Sequence, residues 1–177
     1  MIRVETREKV SKIMILFDWF IIYSFLGWVY ETIYCSVNLG RYSQRGFLYG
    51  PVCPIYGVCI VAAVLLFSDR MKRNITLFFA CALLASVVEY MVSYIMEYIF
   101  GRRWWSYADQ LLNINGRICL GAAIVFGLMG ILIIRYFHPK LVRFLNEYTS
   151  MMVLRKATRI AFTIFLFDLL VSIKVNL

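Results

Sequence analysis

Five acidic side chains lie inside apolar stretches of the sequence, where a carboxylate is costly. They are Asp18, Glu31, Glu89, Glu97 and Asp168. A charged side chain at the centre of a bilayer costs on the order of 3 kcal/mol on insertion scales, and such residues commonly bind ions, relay protons or pair internally. Asp18, Glu31 and Glu97 lie near the ends of their stretches and could instead reach the interface. Glu89 is the most deeply placed of the five.

The spacing of two of these acids suits a polar path along one helix. Glu89 and Glu97 are eight residues apart in the same apolar stretch, which corresponds to about 12 Å of helix height. Ser93 and Tyr94 lie between them on adjacent stripes of the helix and could act as hydrogen-bond relays. In an earlier stretch, Trp28 lies on the same helical face as Glu31.

A polar segment follows the stretch that contains Glu89 and Glu97. Its amphipathic and amide side chains, together with one basic residue, are Trp105, Asn113, Asn115 and Arg117. An aromatic belt at headgroup depth, followed by an Asn-Gly turn, would explain part of this pattern. Buried charges usually persist only when they are paired, so Arg117 is predicted to neutralise Glu31, Glu97 or both.

Composition shows which elements must position these residues. Of the 177 residues, 62% are apolar and 16% are charged, whereas about a quarter of the residues in a soluble domain are charged. Several apolar runs reach the roughly 20 residues that a membrane crossing needs. The sequence therefore predicts an all-α, polytopic membrane helix bundle in a single domain over residues 1–177. About five spans are expected, at residues 13–35, 54–69, 75–100, 118–137 and 160–175.

Proline and glycine refine the boundaries of these spans. Pro139 is expected to end the fourth span, because proline cannot continue a helix with normal hydrogen bonding. Ala123, Gly127 and Gly130 in that span would allow another helix to approach closely. The second span has an irregular start, and its structural loop residues are Arg45, Gly46, Gly50, Pro51 and Pro54. Residues 47–53 are predicted to be re-entrant, non-helical backbone surrounded by protein or a water-filled cavity.

Residues 140–156 combine an apolar stripe with basic residues, which is typical of a helix lying in the cytoplasmic interface. The same pattern would suit docking on a partner protein. Thirteen of the 19 basic residues fall in segments that are cytoplasmic if the N-terminus is inside, and six fall outside. The positive-inside bias therefore predicts a cytoplasmic N-terminus and an extracytoplasmic C-terminus. This distribution also indicates membrane orientation and not nucleic-acid binding.

Several motifs in fixed order resemble one known family. They are Gly27-Trp28 with Glu31, Arg45-Gly46-Phe47-Leu48-Tyr49-Gly50-Pro51, Pro54-Ile55-Tyr56-Gly57, Glu97, Trp104-Trp105 and Asn113-Ile114-Asn115-Gly116-Arg117-Ile118-Cys119. Together they are similar to the family described as "Putative ABC-transporter type IV", also labelled CmpB-like, which comprises small multi-pass proteins found mostly in bacteria. Members often carry Asp after the double Trp, where this chain has Ser106. The resemblance implies a bacterial inner-membrane protein.

Three functions are compatible with these features. The first is a permease or channel-like subunit with an acidic, aromatic-lined cavity in the outer half of the membrane, for a cation, a proton or a small cationic solute. The second is a non-catalytic partner subunit of a membrane complex. The third is a lipid-modifying enzyme acting at headgroup depth, although no Ser-His, HExxH or metal-ligand pattern supports catalysis. The chain has no GxxxxGK[ST] phosphate loop and hence no ATP-binding motif of that type.

The candidate binding residues follow from the first function. They are Trp28, Glu31, Glu89, Tyr94, Glu97, Trp105, Asn113, Asn115, Arg117 and Asp168. No catalytic residue, metal or cofactor is predicted. The expected partners are membrane lipids, a second copy or a partner subunit in the membrane, and either a small cation or a lipid headgroup as ligand.

Overall fold

The computed structural model describes the backbone of residues 2–148 and 150–177, and the side chains of residues 12–147, 150 and 152–177. Helices dominate: α1 (Ile2–Leu39), α2 (Pro54–Phe67), α3 (Asn74–Phe100), α4 (Leu120–Leu132), α5 (His138–Tyr148) and α6 (Met151–Asn176). No strand occurs among these residues, and one isolated antiparallel bridge joins Ile114 and Ile118. The predicted all-α class is therefore confirmed for the part of the chain that is described.

The described residues group into two compact units. Unit 1 comprises residues 1–61 and 148–175, and unit 2 comprises residues 62–147 and 176–177. The first half of α2 belongs to unit 1 and the second half to unit 2. The single domain expected over residues 1–177 stays a prediction, and each unit is described below by itself.

Among the described residues, three helical segments are long and apolar enough to cross a membrane. They are Lys12–Leu39, Asn74–Phe100 and Leu120–Glu147, and α2 is a shorter apolar helix. These segments contain the first and third predicted spans and most of the fourth. Helix α6 is 26 residues long, but its apolar stretch is interrupted by Arg159, Asp168 and Lys174. The count of five spans therefore stays a prediction.

The expected helix end at Pro139 is wrong. A π-helical turn, Ile133–Phe137, follows α4 directly, and α5 begins at His138, whose backbone N–H donates to the carbonyl of Ile133. Pro139 is thus the second residue of α5, an early position where the missing N–H is tolerated. Because the wider turn shifts the hydrogen-bond register just before the proline, the helix passes through it. Sequence periodicity alone does not reveal such a local change.

The segment predicted to lie in the interface, residues 140–156, is divided between two helices. Helix α5 ends at Tyr148 and α6 begins at Met151. Residue 149 lies outside the described residues. Helix α6 extends the predicted fifth span, residues 160–175, by nine residues at its N-terminal end. The location of residues 140–156 in the membrane interface stays a prediction.

In unit 1, glycine allows α1 and α2 to approach closely. A Cβ atom built on Gly27 would lie 2.2 Å from Cγ of Tyr56, and one on Gly57 would lie 2.1 Å from Oγ of Ser24. Small residues at such contacts permit the close helix packing that is favourable in lipid. Helices α1 and α6 also meet through aromatic rings, and the Phe20 and Phe165 ring centroids are 5.4 Å apart.

In unit 2, α3 and α4 pack through the two glycines that the sequence indicated. A Cβ atom on Gly127 would lie 2.6 Å from the Phe78 ring, and one on Gly130 would lie 2.5 Å from Cβ of Cys81. The prediction that these glycines allow a second helix to approach is confirmed. Arg135 adds polar contacts between the turn after α4 and the start of α3. Its Nε donates to Oδ1 of Asn74 over 3.2 Å, and its Nη2 donates to the carbonyl of Met71, just before α3.

Residues 41–53, between α1 and α2, form irregular backbone as expected. The backbone N–H of Cys53 donates to the carbonyl of Ser24 over 3.0 Å, so the end of this segment lies against α1. Gly46 has φ of +102°, a conformation that favours glycine. Pro54 is the first residue of α2, where its missing N–H has no helical partner to lose. The re-entrant location of the segment stays a prediction.

Candidate functional site

The candidate residues form one polar cluster in each unit. We call the cluster in unit 1 the loop anchor, because two carboxylates in it hold residues 41–53. Its members are Glu31, Arg45, Tyr49, Gly50, Cys53, Asp168 and Ser172. We call the cluster in unit 2 the arginine cluster, because Arg117 lies at its centre. Its members are Glu89, Ser93, Glu97, Arg103, Tyr107 and Arg117. In the loop anchor the carboxylates come from α1 and α6, whereas in the arginine cluster they come from α3 alone.

Asp168 of the loop anchor binds backbone. Its Oδ1 accepts the N–H of Tyr49 over 3.0 Å, and its Oδ2 accepts the N–H of Gly50 over 2.9 Å. Ser172, one turn further along α6, donates its hydroxyl to Oδ1 over 3.2 Å. A Cβ atom on Gly50 would lie 2.9 Å from Oδ2, so the glycine permits this approach. The two backbone hydrogen bonds therefore hold the loop against α6.

Glu31 contacts the same loop on both sides of Tyr49 and Gly50. Its Oε1 accepts from Nε of Arg45 over 3.3 Å, and its Oε2 lies 3.5 Å from the sulfur of Cys53, which donates its thiol proton. The side chains of Glu31 and Arg45 are 21% and 28% exposed. Trp28, one turn before on α1, stacks on Phe25 with ring centroids 6.2 Å apart. The carboxylate of Glu31 is thus engaged by two residues of the loop between α1 and α2.

Arg117 is the most buried cation of the arginine cluster, with 7% of its surface exposed. Its Nη1 donates to Oγ of Ser93 over 3.0 Å, and its Nη2 donates to Oε2 of Glu97. The guanidinium also lies over two rings of α3, with its carbon 5.7 Å from the Tyr90 centroid and 5.4 Å from the Tyr94 centroid. Such cation–π contacts add to the ion pair and restrict the guanidinium to one orientation.

Glu97 is shared between two guanidinium groups. In addition to Arg117, Nε of Arg103 donates to Oε2 over 2.9 Å, and Nη1 of Arg103 donates to the carbonyl of Asn115 over 3.0 Å. The side chain of Glu97 is 34% exposed. Two adjacent positive charges repel a further cation, so this carboxylate is poorly suited to bind one. Its evident role is to hold the loop that carries Arg103 and Arg117.

Glu89 lies two turns before Glu97 on α3 and is 7% exposed. Its Oε1 accepts a hydrogen bond from the hydroxyl of Tyr107 over 2.8 Å. Ser93 is one turn further along, so α3 carries Glu89, Ser93 and Glu97 in succession. The Arg117 guanidinium bridges the last two. This succession of polar groups is the feature of unit 2 that could carry a proton or an ion along the helix.

The loop between α3 and α4 is shaped by its own polar contacts. Trp105 donates its indole N–H to the carbonyl of Arg117 over 3.1 Å. Nδ2 of Asn113 donates to the carbonyls of Ala108 and Gln110, and Oδ1 of Asn113 accepts the N–H of Gly116. Asn115 has φ of +53° and donates through Nδ2 to the hydroxyl of Tyr90 over 2.9 Å. These predicted binding residues therefore serve to present Arg117 to α3.

The structure brings together one of the two predicted ion pairs. The contact between Arg117 and Glu97 is confirmed, and the carboxylate of Glu31 is paired with Arg45. Trp105, Asn113 and Asn115 lie in the loop that carries Arg117, and Tyr94 contacts its guanidinium. Whether the candidate residues bind a ligand stays a prediction, as does a single cavity shared by the acids.

Two residues of the arginine cluster were not identified from the sequence. Tyr107 is one of them, and its phenol donates to the buried carboxylate of Glu89. Arg103 follows the end of α3 and bonds both Glu97 and the loop backbone. The available signal for Arg103 was its position six residues after Glu97, just beyond the helix end, where a side chain can fold back.

These features define the class of protein. The described part of the chain has three long apolar helices and acids held by loops, which is the pattern of a helical membrane protein. Residues 18–173 match the family described as "Putative ABC-transporter type IV", and the chain belongs to this family. The resemblance seen in the motifs is therefore confirmed, and the family description relates the protein to transporters. No curated protein matches the chain, and no solved structure matches it.

Proposed function

We propose that this protein is a transport-type membrane protein in which the carboxyl group of Glu89 takes up and releases a proton or a small cation. One observation carries the proposal: Glu89 is 7% exposed in the middle of an apolar helix and accepts a hydrogen bond from Tyr107 over 2.8 Å. Carboxylates at such positions in membrane helices commonly belong to ion pathways or proton relays. The family description supports a role in transport.

The geometry favours Glu89 over Glu97 as the exchanging group. Glu97 already accepts from two guanidinium groups, and its ionised form is stabilised by both. Tyr107 is a neutral donor and also an acceptor, so its hydroxyl can remain hydrogen-bonded to Glu89 whether or not that carboxyl is protonated. The positive charge of Arg117 would repel a metal cation that approached from the Glu97 end. For this reason a proton is the favoured species.

The proposal includes an orientation and a location. With the N-terminus in the cytoplasm, as the distribution of basic residues predicts, α3 runs outward and Glu97 lies nearer the external face than Glu89. We place the protein in the bacterial inner membrane with its C-terminus outside. A C-terminal alkaline phosphatase fusion should then be active and a C-terminal GFP fusion dark. The reverse result would overturn the predicted five-span topology.

Flux measurements test the role of Glu89. Purified protein is reconstituted into liposomes, and proton movement driven by an imposed potential is followed with an internal pH dye. Glu89→Gln keeps the shape of the side chain but cannot exchange a proton, so we expect flux to fall at least tenfold while the thermal midpoint changes little. Tyr107→Phe should reduce flux less, because water can replace the hydroxyl.

Glu147→Gln is the matched control for this experiment. Glu147 is 45% exposed and pairs with Arg143 within α5, so its amide variant should keep wild-type flux. If Glu89→Gln and Glu147→Gln gave equal flux, Glu89 would not be the exchanging group. If wild-type protein moved neither protons nor any of a panel of small cations, the transport proposal would fail.

The family description favours a second candidate, a membrane subunit of a larger ABC-type transporter. An ATPase subunit would then have to come from another chain, because this sequence has no phosphate loop of the usual pattern. Purification under mild conditions from the native host should recover a protein with that motif in stoichiometric amount. Recovery of the chain without such a protein would argue against this candidate.

A further inference from the structure

Three basic side chains occupy one face near the start of α6. Arg155, Lys156 and Arg159 are all exposed, and together with Met152 they line an open groove of about 460 Å³. Their spacing of one and three residues places them on one side of the helix. Among the side chains that the structure describes, none of the three forms an ion pair. Three cations thus lie together with their charge available to a ligand.

A contact on another side of α6 fixes the orientation of this basic face. Thr158 is 6% exposed, and its hydroxyl donates to Oδ1 of Asp18 on α1 over 2.7 Å within unit 1. The same hydroxyl lies 2.8 Å from the carbonyl of Leu154. The contact with Asp18 holds α6 against α1 at this height. The basic groove is therefore a fixed surface of unit 1 and does not depend on rotation of the helix.

The helix beyond the groove is apolar and exposed. Phe162, Ile164 and Phe167 are exposed by 51%, 62% and 70%. They follow Arg159 within about 12 Å along the helix axis. Exposed apolar residues of this size in a membrane protein face hydrocarbon, so the groove lies where the hydrocarbon region ends and the headgroups begin. Basic side chains at that depth meet lipid phosphates.

We propose that the groove of Arg155, Lys156 and Arg159 is a binding site for the headgroup of an anionic phospholipid, whose acyl chains lie on the apolar surface beyond it. The guanidinium groups can bind phosphate oxygens through two parallel hydrogen bonds, and the lysine adds a point charge. The exposed apolar continuation favours a lipid over a free anion, because it provides a surface for the chains. The inference does not depend on the proposed transport function.

Native mass spectrometry of the full chain in detergent tests the proposal. Phosphatidylglycerol or phosphatidylcholine is titrated into wild-type protein and into the variant Arg155→Gln/Lys156→Gln/Arg159→Gln. We expect the first phosphatidylglycerol to bind wild type with a Kd roughly tenfold to a hundredfold lower than it binds the variant, since each basic group near the headgroups contributes. Phosphatidylcholine binding should be the same for both proteins.

The matched control removes three charges elsewhere. Arg70, Lys72 and Arg73 are exposed in unit 2, and their triple Gln variant changes the net charge by the same amount. It should keep most of the phosphatidylglycerol affinity. An equal loss in both triple variants would show diffuse charge attraction and would overturn the site. So would inorganic phosphate or an acidic peptide displacing the lipid at equal concentration, because the site would then prefer a soluble anion or a protein partner.

A conservative variant separates loss of binding from loss of folding. Arg155→Lys/Arg159→Lys retains all charges, so it should retain most of the affinity for phosphatidylglycerol. All of these variants should show thermal midpoints close to wild type in the absence of added lipid, since the changed side chains are exposed. If the lysine variant lost affinity as completely as the glutamine variant, charge would not be the basis of binding and the proposal would be wrong.

Discussion

The loop anchor of unit 1 and the arginine cluster of unit 2 both use carboxylates from apolar helices to hold a loop, but they do so with different partners. In unit 1, Asp168 accepts two backbone N–H groups of the loop. In unit 2, Glu97 accepts from the guanidinium groups of Arg103 and Arg117. The first contact depends on backbone position and on a glycine, whereas the second depends on side-chain charge.

This difference indicates which carboxylates remain suitable for exchange with a ligand. Both oxygens of Asp168 and Oε2 of Glu97 accept hydrogen bonds that hold the fold, and a cation binding at these oxygens would have to compete with them. Glu89 contacts a tyrosine hydroxyl, which is neutral and can rotate. An acid inside an apolar helix is therefore a better candidate for ligand exchange when its contacts can change readily. Its depth in the helix alone is a weaker guide.

The largest effect is expected from removing the central cation of unit 2. Arg117→Met retains much of the apolar bulk but loses the bonds to Ser93 and Glu97 and the contacts with two rings. Charge-assisted hydrogen bonds are worth roughly 1.5–3 kcal/mol each, so we expect a loss of about 3 kcal/mol in the free energy of unfolding, measured in mixed micelles. Arg117→Lys should recover part of it.

The control for this variant is Arg143→Met. Arg143 is 77% exposed and pairs with Glu147 one turn away on α5, so its loss should change the free energy of unfolding by less than about 0.5 kcal/mol. If Arg117→Met were no more destabilising than Arg143→Met, unit 2 would not depend on its guanidinium. The contrast with the backbone-based anchor of unit 1 would then disappear.

A smaller effect is expected from Asp168→Asn in unit 1. The amide keeps one acceptor oxygen, but its NH₂ group would face a backbone N–H that now lacks a partner. Leaving such a donor unsatisfied costs about 1–3 kcal/mol, and we expect a loss near 2 kcal/mol in the free energy of unfolding. Asp109→Asn, at an exposed position in unit 2, should have little effect. Equal stability of the two variants would show that Asp168 does not hold the loop.

The smallest effect is expected from Gly50→Ala. Its Cβ atom would lie 2.9 Å from Oδ2 of Asp168, so the carboxylate must shift, at an expected loss of about 1 kcal/mol. In the Asp168→Ala background the same substitution should be nearly neutral, because the clashing oxygen is gone. Additive effects of the two changes would place the strain elsewhere, since coupled residues give non-additive values in a double-mutant cycle.

The local features of the chain could be predicted from the sequence because they depend on neighbouring residues. The periodicity of α3 placed Glu89, Ser93 and Glu97 in succession, and the small residues Gly127 and Gly130 indicated the helix contact of unit 2. Because buried charges usually persist only when they are paired, Arg117 was predicted to pair with Glu31, Glu97 or both, and the pair with Glu97 is present. The helix end predicted at Pro139 is wrong, because the π-helical turn before it depends on the backbone register and not on the proline alone.

The amino-acid sequence by itself determined that apolar helices would carry five acids and at which heights on those helices the acids would lie. Only the tertiary structure decided what each acid binds. Asp168 meets the backbone of Tyr49 across 119 positions of the chain, and Glu97 meets Arg117 across 20. Helical periodicity specifies neighbours three or four residues apart. Partners further away depend on where the loops return, and loop paths follow from the packing of the whole unit.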